Sequence, residues 1–399
     1  MKKIMILGAS VLQVPAIIKA KEMGYKVIVL DMDSEAIGFQ IEGVTSEVIS
    51  TIDIESVLEC AKRHKIDGIM TIASDMPMRT IAKVSKELNL VGIDEETALK
   101  ATNKYFMREA LKKHNVPIPI YYKVSNENEF YTAVKCILER GYKCIAKPAD
   151  NSGSRGVTLI KEMSKSILHE AYNHAKKYSR LGDIMIEEFL CGPEVSVETI
   201  SYRGECSIIQ ITDKITSGAP YFVEMGHSQP SKLNSVIKKE IIDVTKEALN
   251  AVGVTNGPSH TEIIVTENGP KIVELGARLG GDCITTHLVP LSTGVDMVEC
   301  CIKIAMGDTP NVLKKYDKGA AITYIEADKG KISNIRGLEE AMAIHGIKQI
   351  NFVHGIGEYS KQIESSVDRI GFIIAQGKNE NEAIDLCEKA KSLVKVEVI

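Results

Sequence analysis

Several features that mark other protein classes are missing from this chain of 399 residues. Its nine cysteines form no C-x-x-C pair, and their odd number fits reduced thiols better than a disulfide framework or a zinc site. No apolar run approaches the roughly 20 residues of a membrane span, and no tract of five basic residues marks a nucleic-acid footprint. We therefore expect a cytoplasmic protein that binds neither membrane nor nucleic acid.

Common nucleotide-binding and catalytic motifs are also absent. There is no G-x-x-x-x-G-K-[ST] loop, no G-x-S-x-G elbow and no H-E-x-x-H helix. Gly8-Ala9-Ser10 follows a strand-like run, with Asp31 further on, but G-x-G-x-x-G is not there, so NAD binding is not expected. These absences exclude a Walker-type phosphate loop.

The first hundred residues alternate between strand-like and helix-like patterns, which predicts a parallel sheet covered by helices. The predicted strands are Lys3–Leu7, Lys26–Asp31, Glu47–Ser50 and Gly68–Ile72. Later segments read as antiparallel hairpins and single helices. We predict an α/β (α+β) fold with three parts: residues 1–100, residues 101–310 with a nucleotide-binding lid at about 115–190, and a C-terminal α+β part at 311–399.

A run of small residues follows Lys147-Pro148 and is the first candidate site. It consists of Ser152, Gly153, Ser154, Arg155 and Gly156. Small residues let the backbone approach a ligand closely, and exposed amides attract phosphate oxygens. The Lys147 ammonium could neutralise the same phosphates. Taken alone, the run is equally typical of a flexible connection between strands.

An acidic segment, Glu187–Glu194, is the second candidate site. A strand ends at Glu187-Glu188, crosses a short turn and reaches another acid, Glu194. Backbone groups at such a strand exit can pair with an adenine edge, and Glu194 could accept from ribose hydroxyls. The alternative is an ordinary surface turn, because exposed glutamates are common.

Two acids in neighbouring predicted strands, Glu262 and Glu274, form the third and most specific candidate. The turn Glu267-Asn268-Gly269 would place them side by side on one face of a sheet, where like charges are destabilising without a cation between them. Mg²⁺ takes oxygen ligands of this kind. Arg278 could then clamp a phosphoryl or carboxylate group. The alternative is a pair of solvated acids with a surface arginine.

In this order along the chain, the motifs resemble those of the ATP-grasp superfamily, and the opening segment resembles its pre-ATP-grasp domain. The resemblance implies ATP as a ligand, with Mg²⁺ (Mn²⁺ is an alternative) held by Glu262 and Glu274. It also implies that Arg278 steadies an acyl phosphate. The implied nucleotide contacts are Lys104, Lys147, Ser152, Gly153, Ser154, Gly156, Glu187, Leu190 and Glu194. Gly276 departs from the pattern, because many members carry an Asn there as a further metal ligand.

Within the superfamily, the segments Glu224–Pro230 and Glu274–Asp282 look most like the L-amino-acid ligase branch. That resemblance implies that His227 and Glu224 lie near the substrates, with a catalytic role for His227. The neighbouring Gly and Ser-x-Pro predict that His227 lies in a loop. Gly280-Gly281-Asp282 precedes an apolar helical pattern, so its amides could bind a carboxylate or phosphate at a helix start.

The resulting hypothesis is an ADP-forming ligase that joins a small-molecule carboxylate to an amine. A purine-biosynthetic relative, such as a phosphoribosylglycinamide synthetase, is the first alternative and would need a second phosphate site involving Ser74, Arg79 or Arg155. A nucleotide-binding module without catalysis is the second. We expect a homodimer, the commonest soluble assembly.

Overall fold

The computed structural model describes residues 1–151, 153 and 155–399. Two residues of the predicted phosphate loop, Ser152 and Ser154, therefore lie outside the described residues.

The N-terminal part is a four-stranded parallel sheet in the order β3-β2-β1-β4. Its central strands are apolar throughout because both faces are covered: Ile4 and Ile6 pack into one core, and Met5 and Leu7 into another. The third strand begins and ends two residues earlier than predicted. The elements are β1 (Lys3–Leu7), α1 (Val14–Glu22), β2 (Lys26–Asp31), β3 (Thr45–Val48), α2 (Ile54–His64), β4 (Gly68–Met70), α3 (Met78–Glu87) and α4 (Glu95–Thr102).

The next part is a small antiparallel sheet in the order β5-β8-β6-β7. One face packs on two helices, where the rings of Phe130 and Tyr172 meet edge to face with centroids 5.5 Å apart. The other face carries Lys147 and Glu187. The elements are α5 (Lys104–Lys113), β5 (Tyr121–Val124), α6 (Glu127–Leu138), β6 (Cys144–Pro148), β7 (Thr158–Ile160), α7 (Lys165–Tyr178) and β8 (Ile184–Glu188).

The third part is built on long antiparallel strands. Its main helix is capped at both ends, by the Asn234 side chain at the start and by Gly253 in the left-handed conformation at the end. The elements are β9 (Glu194–Tyr202), β10 (Glu205–Thr216), β11 (Glu224–Gln229), α8 (Ser235–Val252), β12 (Gly257–Thr266), β13 (Gly269–Gly276), α9 (Val289–Thr293) and α10 (Met297–Ala305).

The C-terminal strands extend the same sheet, which runs β13-β12-β9-β10-β11-β14-β18-β16 and so continues across residue 310. A separate small sheet has the order β17-β15-β19. The three-part division of the chain stays a prediction. The remaining elements are β14 (Gly319–Ile325), β15 (Gly330–Arg336), α11 (Leu338–Met342), β16 (Ile347–Phe352), β17 (Tyr359–Ser360), β18 (Gly371–Gly377), α12 (Glu380–Leu393) and β19 (Lys395–Val398).

Helices that combine enough length and apolar character to cross a bilayer do not occur in the described part of the chain.

Candidate active site

Glu262 on β12 and Glu274 on β13 are direct partners in the antiparallel ladder. Opposed residues of such a pair place their side chains on the same face of the sheet, and both acids line one cavity of about 210 Å³. The structure therefore brings the two predicted metal ligands together at one site.

Among the described residues, a lysine contacts one oxygen of each of these carboxylates. Lys104 donates to Glu274 Oε1 at 2.9 Å, and Lys214 donates to Glu262 Oε1 at 2.9 Å. His260 Nε2 lies 3.5 Å from the same Glu262 oxygen. The Oε2 atoms accept no hydrogen bond from the described residues. An all-oxygen donor pair of this kind fits a hard divalent cation such as Mg²⁺.

A second wall of the cavity contains what we call the basic cluster, which consists of Arg108, Lys147 and Glu187. The Arg108 guanidinium donates to both Glu187 oxygens, at 2.9 and 3.0 Å, and Lys147 Nζ lies 2.6 Å from Oε2. Burial alone would raise the pKa of Glu187, but the two cations outweigh it and lower that pKa to about 2. Burial lowers the pKa of Lys147, and Glu187 only partly offsets this.

On the far side lies the acidic cluster, which consists of Lys214, Glu194, Glu224 and Glu262. Lys214 Nζ lies 2.6 Å from Glu194, 2.9 Å from Glu262 and 3.6 Å from Glu224. Burial would lower the pKa of Lys214, but the three acids hold it well above its usual value. The ammonium therefore stays charged, and it joins acids from three neighbouring strands, β9, β11 and β12.

Between the acids and the N-terminal part lies Arg278, which forms a two-point ion pair with Asp75 at 2.8 and 3.2 Å. This pair explains the glycine at position 276. A Cβ atom on Gly276 would approach Asp75 Oδ1 to 2.9 Å and Arg278 Nε to 3.2 Å. An Asn would therefore displace the ion pair that orients Arg278.

Two family descriptions match the chain. Residues 140–286 match the ATP-grasp domain, and residues 323–398 match the L-amino acid ligase C-terminal domain 2. The chain therefore contains an ATP-grasp domain, which confirms the resemblance and the mixed α/β fold that the motifs predicted.

The curated relatives of this chain include two different kinds of ligase. A phosphoribosylamine–glycine ligase of Methanocaldococcus jannaschii is 26% identical and covers 87% of this chain and 83% of its own. An L-arginine-specific L-amino acid ligase of Bacillus subtilis is 25% identical and covers 84% of this chain and 81% of its own.

Solved structures share the ATP-grasp fold over the whole chain. An L-amino acid ligase from Bacillus licheniformis superposes with a TM-score of 0.86 at 21% identity, covering 100% of this chain and 99% of that one. A more distant neighbour, the biotin carboxylase domain of Hydrogenobacter thermophilus 2-oxoglutarate carboxylase, has a TM-score of 0.77 at 17% identity, with 100% and 91% coverage, and was crystallised with MgADP.

The cavity also has an apolar region. The predicted hinge residues Leu190 and Glu194 line it, as does Glu187, but both oxygens of Glu187 are already bound within the basic cluster. We infer that Glu187 acts on a nucleotide by holding Lys147. The apolar lining consists of Ile145, Phe189, Leu190, Phe222, Ile264 and Val273.

The predicted phosphate loop is only partly placed by the structure. Gly153 lines the cavity. Gly156 does not, and a Cβ on it would come within 2.9 Å of both Pro148 and Tyr178. Gly156 thus permits close packing of the loop base on those side chains, and its role as a nucleotide contact stays a prediction.

The expectation that His227 lies in a loop is wrong. His227 is on β11, hydrogen-bonded between β10 and β14 in the middle of the eight-stranded sheet, and its ring is buried beside Tyr324. Backbone hydrogen bonding of β11 to the two neighbouring strands overrides the tendency of Gly and Ser to form turns. Its Nε2 lies 3.4 Å from Asp282, and it is not among the residues lining the cavity. Its catalytic role stays a prediction.

The segment after Gly280-Gly281 does not begin the regular α-helix that the sequence pattern predicts. Asp282 and Cys283 have positive φ, and a five-residue π-helical segment, Ile284–Leu288, follows before α9. The Asp282 carboxylate is held by Arg369 at 2.8 and 2.9 Å, and that guanidinium stacks on the Tyr324 ring at 3.7 Å. An anion-binding helix start is therefore replaced by a turn tied to the C-terminal part.

Lys214, Asp75 and His260 are site residues that the motif analysis did not single out. Lys214 stands in a strand without a diagnostic neighbour, and its partners come from β9, β11 and β12. His260 bridges Glu198, at 2.7 Å, and Glu262. Its place two residues before a predicted metal ligand, on the same strand face, is the one signal that could have found it.

Proposed function

We propose that this protein is an ATP-dependent carboxylate–amine ligase that forms an amide or peptide bond through an acyl phosphate, with L-amino acids as substrates. ATP is the energy source, and Mg²⁺ is the cofactor. The observation that carries the proposal is the paired Glu262 and Glu274, which share one cavity with Lys104, Lys147 and Arg278.

Each charged group has a role in this reaction. Lys104 and Lys147 would bind phosphate oxygens of ATP, and Glu262 and Glu274 would hold Mg²⁺, which when bound neutralises phosphate charge. Arg278 would stabilise charge that develops on the transferring group. Because Asp75 fixes its guanidinium, little reorganisation is needed during reaction.

The chemistry has two steps. A carboxylate oxygen attacks the γ-phosphorus, the bond to the β-phosphate oxygen breaks, and ADP leaves. The amine nitrogen then attacks the acyl carbon, the carbon–oxygen bond to phosphate breaks, and the nitrogen loses one proton to the departing phosphate. The apolar wall of the cavity would limit access of water to the acyl phosphate.

Two findings support amino acids as the substrates. The match to the L-amino acid ligase C-terminal domain 2 covers 76 residues, 323–398. Those residues include Tyr324 and Arg369, which contact the turn at Asp282 beside the Glu224 strand. The C-terminal part therefore supports the segment on which the resemblance to amino-acid ligases was based.

The test is an ADP-release assay with ATP, Mg²⁺ and all pairs of the common L-amino acids. We expect ADP formation that depends on the amino acids, and a dipeptide of matching mass. Hydroxylamine should capture the activated acid as a hydroxamate without a second amino acid. Absence of substrate-dependent ADP from every pair, and of hydroxamate, would contradict the proposal.

A phosphoribosylglycinamide synthetase is the second candidate. A solved structure of that enzyme from Anaerococcus prevotii superposes with a TM-score of 0.80 at 23% identity, covering both chains fully. The same assay with phosphoribosylamine and glycine decides between the two. ADP formation only with that pair would favour this candidate.

The predictions of a homodimer and of a cytoplasmic location stay open to experiment. Sedimentation equilibrium of the purified chain tests the first, and fractionation of the source cells tests the second.

A further inference from the structure

A second cavity, of about 300 Å³, lies between the N-terminal part and the small antiparallel sheet. It shares Lys104, Asn151 and Glu274 with the active-site cavity, so the two cavities adjoin at those residues. Its volume is at the lower end of the range for small-molecule sites. A ligand there would lie beside Lys104, a predicted nucleotide contact, and Glu274, a predicted metal ligand.

Arg79 on α3 is the group in this cavity that is prepared for an anion. Its Nε donates to Thr102 Oγ1 at 2.7 Å, and Thr102 is itself fixed by donating to Ala98 at 2.7 Å. Among the described residues, none accepts a hydrogen bond from either Nη group of Arg79. A half-buried guanidinium anchored at one edge, with its terminal N–H groups left over, suits two-point binding of a carboxylate.

The charges lining the cavity balance. Three cations line it, Arg79, Lys104 and Arg180, against three acids, Asp75, Asp150 and Glu274, so the formal sum is zero. A zwitterion fits such a lining better than a phosphate monoester with its two negative charges. Asp150 also builds the wall, because it accepts from the backbone N–H groups of Arg180 and Leu181.

Aliphatic side chains supply a further part of the lining. An α-amino acid presents one carboxylate, one amine and one side chain, and this site has a guanidinium, acids and an aliphatic surface in one space. The apolar lining residues are Ile52, Ile54, Met76, Met107 and Leu181.

We propose that this cavity binds the amine-bearing amino acid, with its carboxylate on Arg79 and its amine towards the adjoining active-site cavity. The inference rests on the proposed ligase function. The acyl donor's carboxylate is consumed in the reaction next to Arg278. The acceptor's carboxylate survives in the product, so a carboxylate receptor set apart from the reacting phosphate belongs to the acceptor.

The first experiment compares acceptors with the wild-type enzyme and with Arg79→Met. We expect the variant to raise KM for the acceptor amino acid about 10–100-fold, the usual cost of losing a charged hydrogen-bonded pair. KM for the donor, and ADP formation with hydroxylamine as the amine, should not change. Wild-type enzyme should prefer the acceptor acid over its C-terminal amide, and Arg79→Met should lose that preference.

Controls separate the outcomes. Arg79→Lys keeps the charge without the fork and should give an intermediate KM, while Lys86→Met on the exposed face of α3 should match wild type. An unchanged acceptor KM in Arg79→Met, or a rise for the donor alone, would overturn the inference while the ligase function stands. A raised KM for phosphoribosylamine in Arg79→Met would show that the cavity binds that compound, which would contradict an amino acid as the occupant. Wild-type enzyme that forms neither ADP nor hydroxamate would refute the proposed function itself.

Discussion

The basic cluster and the acidic cluster are both buried ion-pair networks on opposite walls of one cavity, and they differ in charge balance. In the first, Arg108 and Lys147 share a single acid, Glu187. In the second, Lys214 forms ion pairs with three acids, Glu194, Glu224 and Glu262. One wall is left with excess positive charge and the other with excess negative charge.

This difference matters because isolated charges are expensive to bury and need partners. A magnesium–nucleotide complex offers both signs at once, phosphates for the basic wall and a cation for the acidic one. The comparison indicates that the charges of the cavity are complementary to one ligand. The basic wall lacks negative charge that phosphates would supply, and the acidic wall lacks positive charge that the metal ion would supply.

The largest expected effect comes from removing the acidic wall's charge. Glu274→Gln and Glu262→Gln should each lower substrate-dependent ADP formation by at least about 100-fold, because a neutral amide holds a divalent cation poorly and leaves phosphate charge uncompensated. The measurement is turnover at saturating ATP over a Mg²⁺ titration. Glu267→Gln, an exposed acid in the turn between the same strands, is the matched control. Wild-type turnover in Glu274→Gln would favour a nucleotide-binding module without catalysis.

Loss of the central lysine should destabilise the protein more in the acidic cluster than in the basic cluster. Lys214→Met leaves three acids without their common cation and should lower the free energy of unfolding by about 3–5 kcal/mol. Lys147→Met should lower it by only about 1–2 kcal/mol, because Glu187 keeps Arg108. Urea unfolding measures both, with the exposed Lys246→Met as control. Equal losses for the two variants would show that the clusters do not differ as described.

The smallest effect is a pH dependence of the basic cluster. The pKa of Glu187 is lowered from 4.5 to about 2, so its stabilisation is fully present above pH 4.5 and is lost as the pH falls towards 2. The difference in unfolding free energy between wild type and Glu187→Gln should therefore be largest near neutral pH and shrink below pH 4.5. Urea unfolding at pH 7, 4.5 and 3 tests this. A difference that stays constant over that range would contradict it.

Local patterns were sufficient for much of the site. Glu262 and Glu274 were predicted to face each other because a short turn joins their strands and alternation assigns side chains to faces. His227 was misplaced because its neighbours have turn tendencies, while its position is decided by pairing with strands far away in the chain.

What the sequence by itself determined is therefore local: the hairpin with its two acids, the lysines at a helix start and on a strand, the parallel N-terminal sheet, and the motif order that identifies the superfamily. Only the tertiary structure decided which charges meet. The deciding contacts join residues from different elements of the chain. Lys214 pairs with acids from three other strands, Arg278 pairs with Asp75 from the N-terminal part, and Asp282 pairs with Arg369. Periodicity fixes the face on which a side chain lies, but its partner depends on how distant strands and helices pack.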